Sequence, residues 1–214
     1  MISKLRIILG YLKNRKQSRL LLAMSNHGYF VETGWFKSVQ SGMPVDKEGN
    51  PIPWTTYSFI EFIKSYLKPD MNLFEYGSGN SSFFYSSRVQ ELTCVEHDEK
   101  WYAYMKEKLP ENGTIIFKEL SYGGAYCKTI SEQDSLYNVI IIDGRDRVNC
   151  MKEASDRIVE NGIIVLDDSE RDYYSEGIDF LQKKGFKSLD FWGCAPKYFH
   201  NKCTTVFFKP PLMI

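Results

Sequence analysis

The spacing of hydrophobic positions changes twice along this chain. From Ser3 to about Met24 they recur at helical intervals, with Leu5, Ile8, Leu9 and Leu12 on one stripe and a break near Gly10. Lys4, Arg6, Lys13, Arg15, Lys16 and Arg19 make that helix basic, and no acid precedes Glu32. It either contacts an anionic membrane surface or a partner, or packs on the core with its basic face in water. From Ser25 to Pro53 the periodicity is lost. Gly28, Gly34, Gly42, Pro44, Gly49, Pro51 and Pro53 mark loops and turns, and Asp46–Asn50 reads as an exposed hairpin tip. His27, Tyr29, Phe30, Trp35, Phe36 and Trp54 crowd this region. Such aromatics either cover an edge of the core or form a lid over a ligand, and Trp54 is the one expected to touch substrate.

Beyond Thr55 the period alternates between that of strands and that of helices. Thr55 or Thr56 can cap a helix to Leu67, with Phe59, Ile60, Phe62, Ile63, Tyr66 and Leu67 on its buried face. Apolar runs predict strands at 72–76, 92–95, 114–117, 137–142 and 163–166. Helices are expected from the Ser81–Ser82 caps to about Arg88, from Glu99 to Leu109, from Val148 to Glu160 with a stop at Asn161-Gly162, and from Asp172 to Lys184. Two last strands, 186–192 and 203–208, have no helix between them and so pair antiparallel. The central strands are apolar throughout, as when both faces of a sheet are covered. The pattern specifies an α/β fold: a doubly wound, seven-stranded, mostly parallel sheet with an antiparallel terminal strand, helices on both faces and an extra N-terminal helical segment. Residues 1–54 form an appendage of helix and aromatic loop or lid, and 55–214 form the main domain.

In such a sheet ligands bind outside the carboxyl ends of the strands. Four of those ends carry acids here: Glu75, Glu96, Asp143, and the pair Asp167 and Asp168. The first is followed by Gly77-Ser78-Gly79-Asn80-Ser81, a strand, turn and helix start that brings bare backbone to a ligand. A dinucleotide site would have a third glycine where Ser82 stands, and Glu75 would repel its pyrophosphate. An acid there suits a ligand with an ammonium and a sulfonium group. Glu96 lies about twenty residues beyond the turn, the interval at which an acid takes ribose hydroxyls.

Strand, acid and Gly-x-Gly together resemble motif I of the class I S-adenosylmethionine (SAM) methyltransferases. Phe-Glu-Tyr-Gly-Ser-Gly-Asn-Ser and Val-Glu-His-Asp are similar to blocks in small bacterial members, and the likeness spans roughly Thr55 to Lys209. It implies SAM as cofactor, bound by Glu75, Gly77, Ser78, Gly79, Asn80, Ser81, Glu96, His97 and Asp143. Glu96 would hold the ribose, His97 would frame the adenine, and Asp143 would stand near the methyl group. The segment Lys118–Leu120, where an adenine contact often falls in that family, lacks the frequent Asp. Ile-Ile-Asp-Gly and Val-Leu-Asp-Asp also resemble the metal-dependent O-methyltransferases, which implies Mg²⁺ on Asp143, Asp167 and Asp168. Without a metal, Asp143 or Asp168 would be the general base. The implied reaction is O-methylation of a small molecule or a sugar or polysaccharide unit. The alternatives are an NAD-dependent oxidoreductase and a binding protein that keeps the fold.

Composition narrows the partners. At 214 residues with 43% hydrophobic and 25% charged side chains, one sizeable core can form. Equal numbers of acidic and basic residues exclude a general nucleic-acid footprint. Five scattered cysteines without a Cys-x-x-Cys pair suit a reducing, cytoplasmic setting. No apolar run is long enough to span a membrane, and the early basic residues make a poor signal peptide. Arg145 and Arg147 either hold an anionic substrate such as a uronate or phosphate, or pair with Asp146 and Asp172.

Overall fold

The computed structural model describes residues 14–211 together with Gly10. The stripe of Leu5, Ile8, Leu9 and Leu12 lies outside the described residues. Helix α1, Arg15–Asn26, comes next in the chain, and none of its residues is buried. Leu20, Leu21 and Leu22 are exposed, so packing of this segment on the core is not seen.

The stretch expected as irregular contains two short helices, α2 Tyr29–Glu32 and α3 Trp35–Ser41. Its glycines mark helix ends: Gly28 and Gly34 precede α2 and α3, Gly42 follows α3, and all three have positive φ. At Gly34 a side chain would also overlap the backbone of Asp46. Asp46 does form a hairpin tip. Its Oδ1 accepts from the backbone N–H groups of Glu48, Gly49 and Asn50, and Val45 bridges to Pro51.

Helix α4, Tyr57–Tyr66, then leads into the sheet. Thr56 sits at its N-cap, but the Thr56 hydroxyl donates to the Phe191 carbonyl and does not cap the helix. The strands are β1 Asn72–Tyr76, β2 Glu91–Glu96, β3 Gly113–Phe117, β4 Tyr137–Ile142, β5 Ile158–Asp167, β6 Lys187–Gly193 and β7 Lys202–Phe208. The helices between them are α5 Asn80–Ser86, α6 Glu99–Lys108, α7 Ala125–Lys128, α8 Arg147–Ala154 and α9 Ser175–Lys183. Strand order is β3-β2-β1-β4-β5-β7-β6. The first five strands run parallel, and β7 is antiparallel to both neighbours.

Alternation along the strands sends side chains to two cores. Leu73, Val139, Ile163 and Val206 pack beneath α4 and α5 together with Trp35 and Ile52. Phe74, Tyr76, Ile140, Ile164 and Phe207 pack against α7, α8 and α9. The crossing from β4 to β5 differs from the expectation. Helix α8 ends at Ala154, and Ile158 already pairs with Tyr137. Asn161-Gly162 is a bulge inside β5, with Asn161 at φ 65° and a register shift opposite Tyr137–Val139. Pairing with β4 overrides the helical pattern of 155–160.

Candidate active site

The strand ends of β1, β2, β4 and β5 open on one cavity of about 1020 Å³. Its walls include Glu75, Gly77, Ser78, Glu96, Asp143 and Asp168. The β1 and β4 turns touch. Gly77 has φ 101°, and a Cβ there would lie 3.3 Å from Gly144 Cα. A Cβ on Gly144 would overlap the Tyr126 hydroxyl and crowd the Tyr76 carbonyl at 2.9 Å. Both positions therefore need glycine, and the strand order brings the two bare turns side by side. Gly79 differs, since a Cβ there would meet nothing within 4 Å.

Glu75 is fully buried and engaged within the turn. The Ser81 hydroxyl donates to Oε1 at 2.5 Å and the Ser82 hydroxyl to Oε2 at 2.6 Å. Neither serine is itself the N-cap of α5: Gly79 holds that position, and Ser82 caps it from N3 by accepting the Gly79 N–H on its Oγ. Loss of water on burial pushes the Glu75 carboxyl up to about 7, against the pull of those hydroxyls. Glu75 thus braces the turn while lining the cavity. Gly79 and Asn80, unlike Glu75, do not line the cavity. The Asn80 amide instead donates to the Pro44 carbonyl at 2.8 Å, tying the turn to the N-terminal region.

Glu96 is held from behind. Its Oε1 accepts from the N–H groups of His97 at 2.7 Å and Asp98 at 2.9 Å, and the Ser78 hydroxyl donates to Oε2 at 2.9 Å. The His97 ring places Nδ1 2.9 Å from Oε1. Trp101 donates its indole N–H to the Ser78 carbonyl and stacks on Tyr104, and both rings line this end of the cavity. Residues 118–120 do not line it. Trp101 and Tyr104 escape sequence reading because they sit within α6, where an aromatic reads as ordinary packing.

At the other end Asp143, Asp167 and Asp168 face cations. Arg147 Nη2 lies 3.0 Å from Asp143 Oδ1, and its Nε donates to the Gly144 carbonyl. Nη1 donates to the Asp167 carbonyl and stands 3.8 Å from Asp168 Oδ2. Arg147 is thus a buried bolt between the ends of β4 and β5, and it pairs with neither Asp146 nor Asp172. Arg171 reaches Asp168 Oδ2 at 2.6 Å. Lys202, at the start of β7, lies 3.3 Å from Asp167 Oδ2 and 2.5 Å from Asp168 Oδ1. Thr204 donates to Asp167 Oδ1 at 2.8 Å. Burial still raises Asp143 to about 6 and Asp167 to about 7. Arg145 lines the cavity and makes no side-chain hydrogen bond or ion pair among the described residues. Trp54 lines it, stacked on Tyr198 with 5.8 Å between ring centres. His200, given no role by sequence, joins them.

These contacts test the metal expectation. Mg²⁺ demands several oxygen ligands in near-octahedral order. The three acids already face Arg147, Arg171 and Lys202, and no group of three or more His, Cys, Asp or Glu fit to hold an ion occurs among the described residues. A Mg²⁺ site on Asp143, Asp167 and Asp168 is therefore not supported.

The sequence matches no family model and no curated relative. Solved structures do match. A candidate O-methyltransferase of Klebsiella pneumoniae aligns over 90% of this chain and 94% of its own at 13% identity and TM-score 0.58. An rRNA methylase of Streptococcus thermophilus aligns over 69% and 90% at 14% identity and TM-score 0.54. A candidate methyltransferase of Streptococcus mutans, solved with S-adenosylhomocysteine (SAH), aligns over 69% and 93% at 13% identity and TM-score 0.53. The chain has the class I SAM-dependent methyltransferase fold. The spread from rRNA methylase to O-methyltransferase shows that this fold leaves the acceptor open.

Proposed function

We propose that the protein is a SAM-dependent methyltransferase that acts on a hydroxyl of a small molecule or of a sugar or polysaccharide unit. The observation that carries this reading is one continuous cavity whose two ends differ in chemistry. One end has a braced acid, Glu96, beside Ser78 and a stacked aromatic pair, which suits a ribose and a flat base. The middle is bare backbone at Gly77 and Gly144. The other end has acids, cations and the Trp54–Tyr198 stack, a surface on which a sugar ring can lie.

SAM, when bound, supplies a methyl group on a positively charged sulfur. Glu96 and Ser78 would grip the ribose hydroxyls, and the Gly77 turn would admit the amino-acid tail. Asp143 would face the reacting end. Arg147 engages only one of its carboxylate oxygens, so the other would be free to accept the proton of an acceptor hydroxyl. Asp168 suits that task less well, because Lys202 and Arg171 hold its two oxygens. The transfer otherwise needs alignment and a dry site.

Calorimetric titration with SAH, SAM and NAD tests the reading. SAH and SAM should bind saturably, Glu96→Ala should weaken both at least about tenfold by removing a charged hydrogen-bond acceptor, and NAD should not compete. Saturable binding of NAD alone would favour the oxidoreductase. Failure to bind any of the three would favour a non-enzymatic role.

A further inference from the structure

The acids at the acceptor end form a charge-balanced cluster. Asp143, Asp167 and Asp168 bring three carboxyl groups onto one rim, and the buried pair Asp167 and Asp168 can hold charge only with countercharge. Three side chains supply it: Arg147, Arg171 and Lys202. Two of these have other work. Arg147 has committed its guanidinium to the Gly144, Asp143 and Asp167 carbonyls, and Arg171 is half exposed at the outer edge. Lys202 is buried, lies between two carboxylates and lines the cavity. An ammonium carries three N–H donors, and two are matched by Asp167 and Asp168, so one is left at the cavity wall. The Tyr198 ring, 5.3 Å away, closes one side.

We infer that Lys202 is the resident cation of this end of the cavity, standing where a divalent ion would otherwise bridge Asp167 and Asp168. A divalent ion could enter only by expelling an ammonium that the fold itself delivers from β7. Lys202 is thus a positioning residue, a fixed positive charge beside the acceptor, and transfer here needs no metal. The acceptor and the transfer rest on the methyltransferase reading; the placement of the cation does not.

The full-length protein, Lys202→Met and Lys202→Arg are titrated with Mn²⁺ and followed by electron paramagnetic resonance, with thermal unfolding in Mg²⁺ or EDTA alongside. Wild type and Lys202→Arg should leave the free-ion spectrum unchanged and unfold at the same temperature in both media. Lys202→Met, stripped of the charge, should bind Mn²⁺ saturably and gain a rise in Tm that EDTA reverses. Saturable Mn²⁺ binding by wild type that Asp168→Asn removes would overturn the inference, and so would a folded Lys202→Met that binds none. If Lys202→Met fails to fold, the wild-type titration and Asp168→Asn decide alone. SAH binding is measured on the same wild-type sample. Its absence beside the expected Mn²⁺ result would reject the methyltransferase reading and leave the cation in place.

Discussion

Glu75 offers a sharp test of how the first turn is built. Its carboxyl lies in the sheet's interior and is carried from 4.5 to about 7 by loss of water. The folded protein thus holds this proton more tightly than the unfolded chain. The stabilisation from the neutral acid is complete below pH 4.5 and is lost as pH climbs through 7. That difference amounts to about 3 kcal/mol at about 1.4 kcal/mol per pH unit. Glu75→Gln keeps the shape and removes the charge. One of the Ser81 and Ser82 hydroxyls can still donate to the amide oxygen, and the other can turn to accept from the amide nitrogen. At pH 5 the variant and wild type should be nearly equal in stability. At pH 8 the variant should be more stable by up to about 3 kcal/mol, or about 6–12 °C in Tm for a domain of this size. Asp143 and Asp167 titrate in both proteins, and since the Glu75 charge influences Asp143 less than burial, Arg147, Lys202 or Asp168 does, their contributions largely cancel. Urea unfolding of both proteins at both pH values reads the difference directly. An offset that is the same at pH 5 and pH 8 would refute the argument, because Glu75 would then not change charge within the folded state.

Other contacts lead to further expected outcomes. Gly144→Ala should cost about 1–3 kcal/mol in urea unfolding, since its Cβ overlaps the Tyr126 hydroxyl; an unchanged midpoint would show that the two turns are not in contact. Arg147→Leu should cost about 3–5 kcal/mol by leaving buried carboxylates short of charge, and a loss under about 1 kcal/mol would mean that Lys202 and Arg171 suffice. Full-length protein should sediment with anionic vesicles through the basic N-terminal segment and the exposed Leu20, Leu21 and Leu22, and a form without residues 1–24 should not. Equal sedimentation of both forms would end the membrane reading.

The doubly wound sheet was legible because its signals are local. Continuous apolar runs marked β1, β2, β4 and the core of β5, and the missing helix between the last two strands marked the antiparallel pair. What escaped sequence reading depends on contacts across the fold. The run 155–160 reads as helix until β4 lies beside it and draws Ile158 into the ladder. Gly28, Gly34 and Gly42 read as loop residues, because only their positive φ, and at Gly34 the nearby backbone of Asp46, show them as helix ends. The acids of the rim were visible as strand ends, but their partners were not. Lys202 is about 35 residues from Asp167 and meets it only because β7 inserts next to β5. The same crossing brings Tyr198 and His200 to Trp54. With those cations unseen, an acid-rich rim read as a metal site.

The most direct measurement of the central claim is a crystal structure grown with SAH. The account predicts the ribose hydroxyls against Glu96 and Ser78, the base near Trp101 and Tyr104, and the amino-acid tail over the Gly77 turn, with the sulfur facing the end that holds Asp143 and Lys202. Crystals in which SAH is absent from this cavity, or lies with its ribose away from Glu96, would contradict it.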